Sequence, residues 1–141
     1  MSTWDSYKQT RVAPATLWSA AQANDAVTLA RLHFEGADLE AKDARGYSPL
    51  MLATYAGNAE AFAYLLARGA NPNTTDPAGN SVLMGATFKG HHEFVIRLIA
   101  AGASITARNN AGLDAHAFAV MFGRTALLAL LEHPDSASPI R

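Results

Sequence analysis

The chain has 141 residues, 50% hydrophobic and 16% charged, which suits one globular domain with a buried core. Its formal net charge of −1 provides no general field for attracting nucleic acid or an anionic membrane surface. The absence of cysteine excludes disulfides, thiolate metal sites and cysteine nucleophiles.

Residues 1–14 lack the basic and apolar pattern of a signal peptide, and no apolar run in the chain is long enough to span a bilayer. We therefore expect a cytoplasmic protein that does not associate with membranes. The same segment contains Trp4 and Tyr7 and fits no repeat. We expect this extension to cover the exposed core of the first repeat near Trp18, since terminal repeats need covering. A separate peptide-like binding motif is the alternative.

Glycine recurs every 33 residues in three series that keep the same phase. A fixed period of this length predicts a protein built from stacked repeats. The repeat units are expected at about 15–42, 43–75, 76–108 and 109–133. The three series are Gly36, Gly69 and Gly102; Gly46, Gly79 and Gly112; and Gly57, Gly90 and Gly123.

Each unit is predicted to contain two helices followed by a turn-rich segment. The first helix begins after Ser48 in one unit and after Ser81 in the next, where a hydroxyl can cap the helix. It ends at the third glycine series, where a left-handed residue costs glycine least. Asn24 occupies that position in the first unit, and asparagine tolerates the same conformation. A second, more apolar helix follows, as at 59–67 and 92–100.

One helix pair cannot bury its apolar face alone, so neighbouring units must supply the missing wall. The prediction is an all-α solenoid of about four helix-turn-helix units with projecting hairpin loops. Pro134 cannot continue the last helix, and residues 134–141 are expected to form a mobile tail. Small and aliphatic residues recur in phase and are expected to form the running core: Ala53, Ala86, Ala119, Leu65-Leu66 and Leu98-Ile99.

The second unit carries a recognisable pattern, which reads Asp43, Gly46, Ser48-Pro49-Leu50-Met51, Ala53, Gly57-Asn58, Leu65-Leu66 and Gly69-Ala70-Asn71-Pro72-Asn73. This pattern resembles the ankyrin repeat, and by its period it covers about residues 15–133. The resemblance is to small, free-standing bacterial members of the family. It implies an L-shaped stack and non-catalytic binding of another protein. The family histidine is replaced by Met51, Met84 and Ala117, so we expect its hydrogen bonds to be lost.

The resemblance also implies where a partner binds, because family members use the hairpin tips and the exposed side of the first helices. Large, mostly apolar residues occupy many of these positions, as is common at the centre of interfaces. We call six of them the aromatic stripe: Tyr47, Tyr55, Phe88, Leu113, Met121 and Phe122. Arg45, Asn80 and Lys89 complete the predicted partner-binding set. Arg45 and Lys89, together with Arg124, are expected to form a basic rim suited to acidic groups.

The alternative for the aromatic stripe is ordinary packing. Met121 and Phe122 would then lie under the C-terminal tail, and Tyr47 and Tyr55 would pack on neighbouring loops. Single exposed apolar residues need no functional explanation.

Catalytic, metal and nucleic-acid sites are not indicated, and we expect no cofactor. His91 and His92 are adjacent on a helix and point about 100° apart, so they cannot both face one ion. Ser48 and Ser81 are at cap positions, with no base placed to activate them. Arginine and lysine are scattered and do not cluster as phosphate contacts require.

The function predicted is non-catalytic protein–protein interaction by a monomer. More specific roles within this function are a stoichiometric inhibitor, an immunity protein, or an escort of an enzyme or toxin. The competing class is an enzyme or a small-ligand binder with its site between Trp18, Met51, Met84 and the hairpins. Weak self-association through the aromatic stripe is a third possibility.

Overall fold

Helices occur in pairs along the chain, in agreement with the 33-residue period. The structure is a computed structural model that describes residues 15–132. The expectations for residues 1–14 and 134–141 concern segments outside that range. The helices are α1 (Leu17–Gln22), α2 (Ala26–Phe34), α3 (Pro49–Ala56), α4 (Ala59–Ala67), α5 (Val82–Lys89), α6 (His92–Ala100) and α7 (Ala115–Met121).

The helices form two rows. The inner helices α1, α3, α5 and α7 each contact the next inner helix, while α2, α4 and α6 form an outer row against them. Ala53, Ala86 and Ala119 are fully buried where the inner helices approach one another. In the outer row, the rings of Phe62 and Phe94 stack with their centroids 4.0 Å apart. The core is therefore continuous from unit to unit, as expected for a solenoid.

The helix starts confirm the predicted serine caps. The hydroxyl of Ser48 accepts a hydrogen bond from the Met51 amide at 3.2 Å, and Ser81 does the same for Met84. The sulfur of Met84 accepts in turn from the Ser81 amide at 3.3 Å. This methionine therefore keeps one local hydrogen bond, although the sequence suggested that the residue replacing the family histidine would make none.

The helix ends confirm the role of the third glycine series. Gly57 and Gly90 both cap inner helices with a φ of 72°, in the left-handed region. Asn24 has a φ of 57° and takes the same conformation in the first unit. A residue with a Cβ is strained there, and asparagine tolerates the strain better than most residues.

Each hairpin turn is held by one side-chain oxygen. An Oδ1 atom of Asp43 accepts from the amides of Arg45 and Tyr47 at 2.9 and 3.0 Å. Asp76 and Asn109 make the corresponding pairs of bonds in the next two hairpins. An acid and an amide thus serve equally as turn acceptors.

A second series of hydrogen bonds joins one unit to the next. Asn58 donates to the carbonyl oxygens of Ala21 and Gln22 at 2.8 and 2.9 Å. Arg124, two periods later, donates to the carbonyl of Phe88 through Nε at 3.1 Å and Nη2 at 2.8 Å. His91 lies between them in register, and its ring bonds to the backbone of Tyr55. Three different side chains therefore tie the ends of successive inner helices together.

The fourth unit differs from the expected helix pair. Its second segment forms two short 3-10 turns, Thr125–Leu127 and Ala129–Leu131, where the earlier units have an α-helix. Leu127 and Leu131 are buried against the core, while Leu130 is 37% exposed. Pro134 follows closely and disfavours helical geometry in the residue before it. The last unit is therefore a shortened form of the repeat at the end of the solenoid.

Candidate partner-binding site

The predicted site lies on the hairpins and on the carboxyl ends of the inner helices. Tyr47, Asn80 and Leu113 occupy equivalent hairpin positions, four residues after the turn acceptor. Tyr55 and Phe88 lie near the ends of α3 and α5, and Met121 and Phe122 are at the end of α7.

Tyr47 and Tyr55 pack against each other in the first part of the aromatic stripe. Their ring centroids are 5.9 Å apart in an edge-to-face arrangement, and both residues are half-buried. The guanidinium of Arg45 lies 5.0 Å from the centroid of Tyr47 and pairs with Asp43 at 3.3 Å. Part of this pair's surface is therefore used in contacts within the fold.

Phe88 and Phe122 form the exposed part of the stripe. Their rings meet edge to face with centroids 4.7 Å apart, and the residues are 41% and 42% exposed. Phe118 lies behind them, with its centroid 6.0 Å from that of Phe122. Met121 is also exposed, at 59%. The third and fourth units thus present apolar surface to solvent.

Asn80 is held by hydrogen bonds on both sides of its amide. Its nitrogen donates to Oδ2 of Asp76 at 3.2 Å, and its oxygen accepts from Nδ2 of Asn109 at 2.8 Å. Leu113 is half-buried, and its backbone exchanges hydrogen bonds with Asn109. Asn80 therefore also joins two neighbouring hairpins, while the bonds of Leu113 lie within its own hairpin.

A cavity of about 330 Å³ lies beside the aromatic stripe and is lined by Tyr55 from one aromatic pair and Phe88 from the other. It brings together four predicted site residues, from three different elements of the fold, with three that the prediction missed. The predicted residues are Tyr55, Asn80, Phe88 and Lys89, and the missed residues are Asp76, Gly85 and Phe118.

The missed residues had a signal in the sequence. Gly85 interrupts a helix where the preceding unit has Leu52 and the following unit has Phe118. A glycine inside a helical pattern usually has a packing reason. A Cβ at residue 85 would lie 1.9 Å from Cε1 of Tyr55, so the tyrosine ring lies directly over the glycine. The missing side chain leaves room for both the ring and the cavity.

The ionisable groups around the cavity differ in their pairing and charge. Lys89 has its ammonium 5.8 Å from the Phe88 centroid, and no carboxylate within residues 15–132 forms an ion pair with it. Burial, followed by the charge of Asp76, raises the pKa of Tyr55, which stays neutral at physiological pH. Arg124 was expected in a basic rim, and its Nε and Nη2 both donate to the carbonyl of Phe88. Lys89 is the cation that lines this cavity.

The competing small-ligand alternative places a site between Trp18, Met51, Met84 and the hairpins. Met51 and Met84 are 0% and 1% exposed within the core. The indole nitrogen of Trp18 donates to the carbonyl of Ala41 at 2.9 Å. Methionines so deeply buried cannot line a site that opens to solvent, so their burial does not favour that alternative.

Between residues 15 and 132, no three His, Asp or Glu side chains gather as metal ligands. No helix in the same range has the length and apolar character needed to cross a membrane.

The fold and the repeated turn chemistry define a helical repeat protein, and comparison with known families agrees. A family model described as ankyrin repeats, in three copies, matches residues 17–109. Because the match covers more than half of the chain, this protein belongs to the ankyrin-repeat family. Ankyrin repeats generally mediate protein–protein interaction and are typically non-catalytic. No curated protein sequence matches the chain significantly.

Proposed function

We propose that this protein is a non-catalytic module that binds another protein through the aromatic stripe and the cavity beside it. The observation that carries the proposal is the exposed Phe88–Phe122 pair beside Lys89, which has no carboxylate partner among the described residues. Exposed aromatic surface with a charged edge is typical of interface centres. The family's general role supports the same function.

Site-specific photo-crosslinking in the native host tests this proposal. A photoreactive phenylalanine analogue replaces Phe88 in one variant and Val27 in another. Val27 is a matched control because it is 81% exposed but lies on the outer helix α2. We expect a protein adduct from position 88 and none from position 27. Adducts from position 27 alone, or from neither position, would contradict the proposal.

The finer role follows from the crosslinked protein. If it is an enzyme or toxin that loses activity on adding one equivalent of this chain, the role is that of an inhibitor or immunity protein. Unchanged activity with improved folding yield indicates an escort. The monomeric state and the cytoplasmic location expected from the sequence remain part of the proposal, and sedimentation and cell fractionation test them.

A further inference from the structure

The cavity beside Phe88 has the size and lining of a receptor for one large side chain. Its volume of about 330 Å³ is near the lower end of the range for small-molecule sites. Tyr55, Phe88 and Phe118 supply aromatic walls, and Gly85 lies beneath the Tyr55 ring at the edge of the cavity. Aromatic rings pack well against such walls in stacked or edge-to-face arrangements.

One end of this cavity carries a hydrogen-bond acceptor with unused capacity. Oδ1 of Asp76 accepts from two backbone amides at 2.9 Å. Oδ2 accepts one longer bond, 3.2 Å, from the amide of Asn80. A carboxylate oxygen can accept more than one bond, so Oδ2 can take an N–H or O–H from a guest. Tryptophan and tyrosine combine a large ring with such a donor.

The surrounding charges favour acidic groups next to that ring. Lys89 lines the cavity and pairs with no carboxylate among residues 15–132. Arg45, the other predicted cation on this face, is already paired with Asp43. A cationic guest would meet the repulsion of Lys89, and the three N–H donors on Asp76 partly offset the negative charge of its carboxylate. Charge complementarity therefore favours an anionic partner over a cationic one.

We infer that the cavity receives a tryptophan or tyrosine side chain from an acidic segment of a partner protein. The ring lies between Tyr55, Phe88 and Phe118, its polar hydrogen is donated to Asp76, and a flanking Asp or Glu pairs with Lys89. This inference rests on the proposed function and specifies the chemistry of the partner.

Three synthetic peptides test the inference against the full chain. The first is acetyl-Asp-Glu-Trp-Glu-Asp-amide, the second replaces its tryptophan with alanine, and the third replaces its acids with lysine. Amide chemical shifts of the ¹⁵N-labelled protein are followed up to about 5 mM peptide, because so short a ligand is expected to bind weakly. We expect saturable shifts centred on Gly85, Phe88 and Lys89 with the first peptide, and at least about tenfold weaker binding of the other two.

A charge reversal makes the test specific. In Lys89→Glu, we expect the acidic peptide to bind at least about tenfold more weakly and the basic peptide to bind more tightly. Arg68→Glu is the matched control, since Arg68 lies over Tyr64 in the outer row, 5.4 Å from its ring centroid. This control should leave both affinities unchanged.

Several outcomes would overturn the inference. These are the absence of saturable shifts, equal binding of the alanine peptide, a preference for the basic peptide by the wild-type chain, or saturation of the cavity by a second copy of this chain in sedimentation runs. If any of these accompanies a protein adduct at position 88, the acidic aromatic segment is wrong and the proposed function stands. If no adduct forms either, the proposed function fails as well.

Discussion

The ring of Tyr55 lies across Gly85, so that a Cβ on residue 85 would meet three of its ring atoms at 1.9 to 2.9 Å. Tyr55 belongs to α3 and Gly85 to α5, and this contact joins two consecutive units. Glycine within a helix normally destabilises it by about 0.5–1 kcal/mol relative to alanine. Here the contact between units offsets that cost.

The first prediction concerns this pair. Gly85→Ala should destabilise the protein by roughly 1–3 kcal/mol, because the added methyl group must displace the tyrosine ring. In a Tyr55→Ala background, the same change should stabilise it by up to about 1 kcal/mol, as expected from helix propensity. Urea unfolding of the four proteins measures this double-mutant cycle. Equal effects of Gly85→Ala in both backgrounds would show that the contact does not limit residue 85.

The second prediction concerns the pH dependence of stability through His91. Burial first, and then the charge of Lys89, lower the pKa of His91 from its ordinary value of 6.5. Its Nε2 atom is buried without a hydrogen-bond partner among the described residues. The unfolded state therefore binds a proton before the folded state does as the pH falls. The contribution of His91 to the free energy of unfolding is therefore fully present above about pH 6.5. It declines as the pH falls from there to the folded-state pKa.

His91→Asn should remove this part of the decline. Asn58 already makes the equivalent bond one unit earlier, so asparagine can replace the imidazole without losing the link between units. We expect the urea midpoint to fall less between pH 7.5 and pH 5.5 in the variant than in the wild type. The carboxyls with lowered pKa values, such as Asp25 and Glu60, lose their stabilising effect below about pH 5, which lies under the range tested. Identical declines in the two proteins would refute the role of His91.

The third prediction concerns local opening of the last unit. Arg124→Ala removes both donors to the Phe88 carbonyl, which should loosen α7 and the 3-10 turns. We expect amide exchange in residues 115–131 to accelerate at least about tenfold, since hydrogen bonds to charged groups contribute about 1.5–3 kcal/mol. Exchange in α1–α4 should be unchanged, because each unit contacts only its neighbours. Arg31→Ala, which breaks an exposed pair with Glu35, should leave residues 115–131 unaffected.

The features that the sequence predicted correctly depend on residues close together in the chain. Serine at a helix start and glycine at a helix end act within one turn of backbone, so the 33-residue period revealed Ser81 and Gly90 directly. The hydrogen bonds that join the ends of successive inner helices also recur every 33 residues. The side chains that donate them differ, because Asn58, His91 and Arg124 reach equivalent backbone positions with different groups. Which side chain can reach a neighbouring carbonyl depends on three-dimensional distances that a repeat period does not contain.

In the candidate site, too, some features followed from position in the repeat and others did not. Position in the repeat predicted that Phe88 and Lys89 are exposed, because it specifies the outward side of an inner helix. It did not predict the cavity, which depends on how far the ring of Tyr55 extends over the next unit. Nor did it show that Arg124 would turn back to Phe88, since a long side chain has many rotamers and only the neighbouring carbonyl selects one.

The last prediction concerns how the solenoid ends. Leu131 is fully buried although it belongs to a short 3-10 turn, whereas the adjacent Leu130 is 37% exposed. Leu131→Ala should therefore cost about 2–5 kcal/mol, the range for emptying a buried leucine site. Leu130→Ala changes the same atoms at a surface position and should cost less than about 1 kcal/mol. Urea unfolding monitored by far-ultraviolet circular dichroism gives both values. Similar losses in the two variants would mean that the 3-10 segment does not close the core at Leu131.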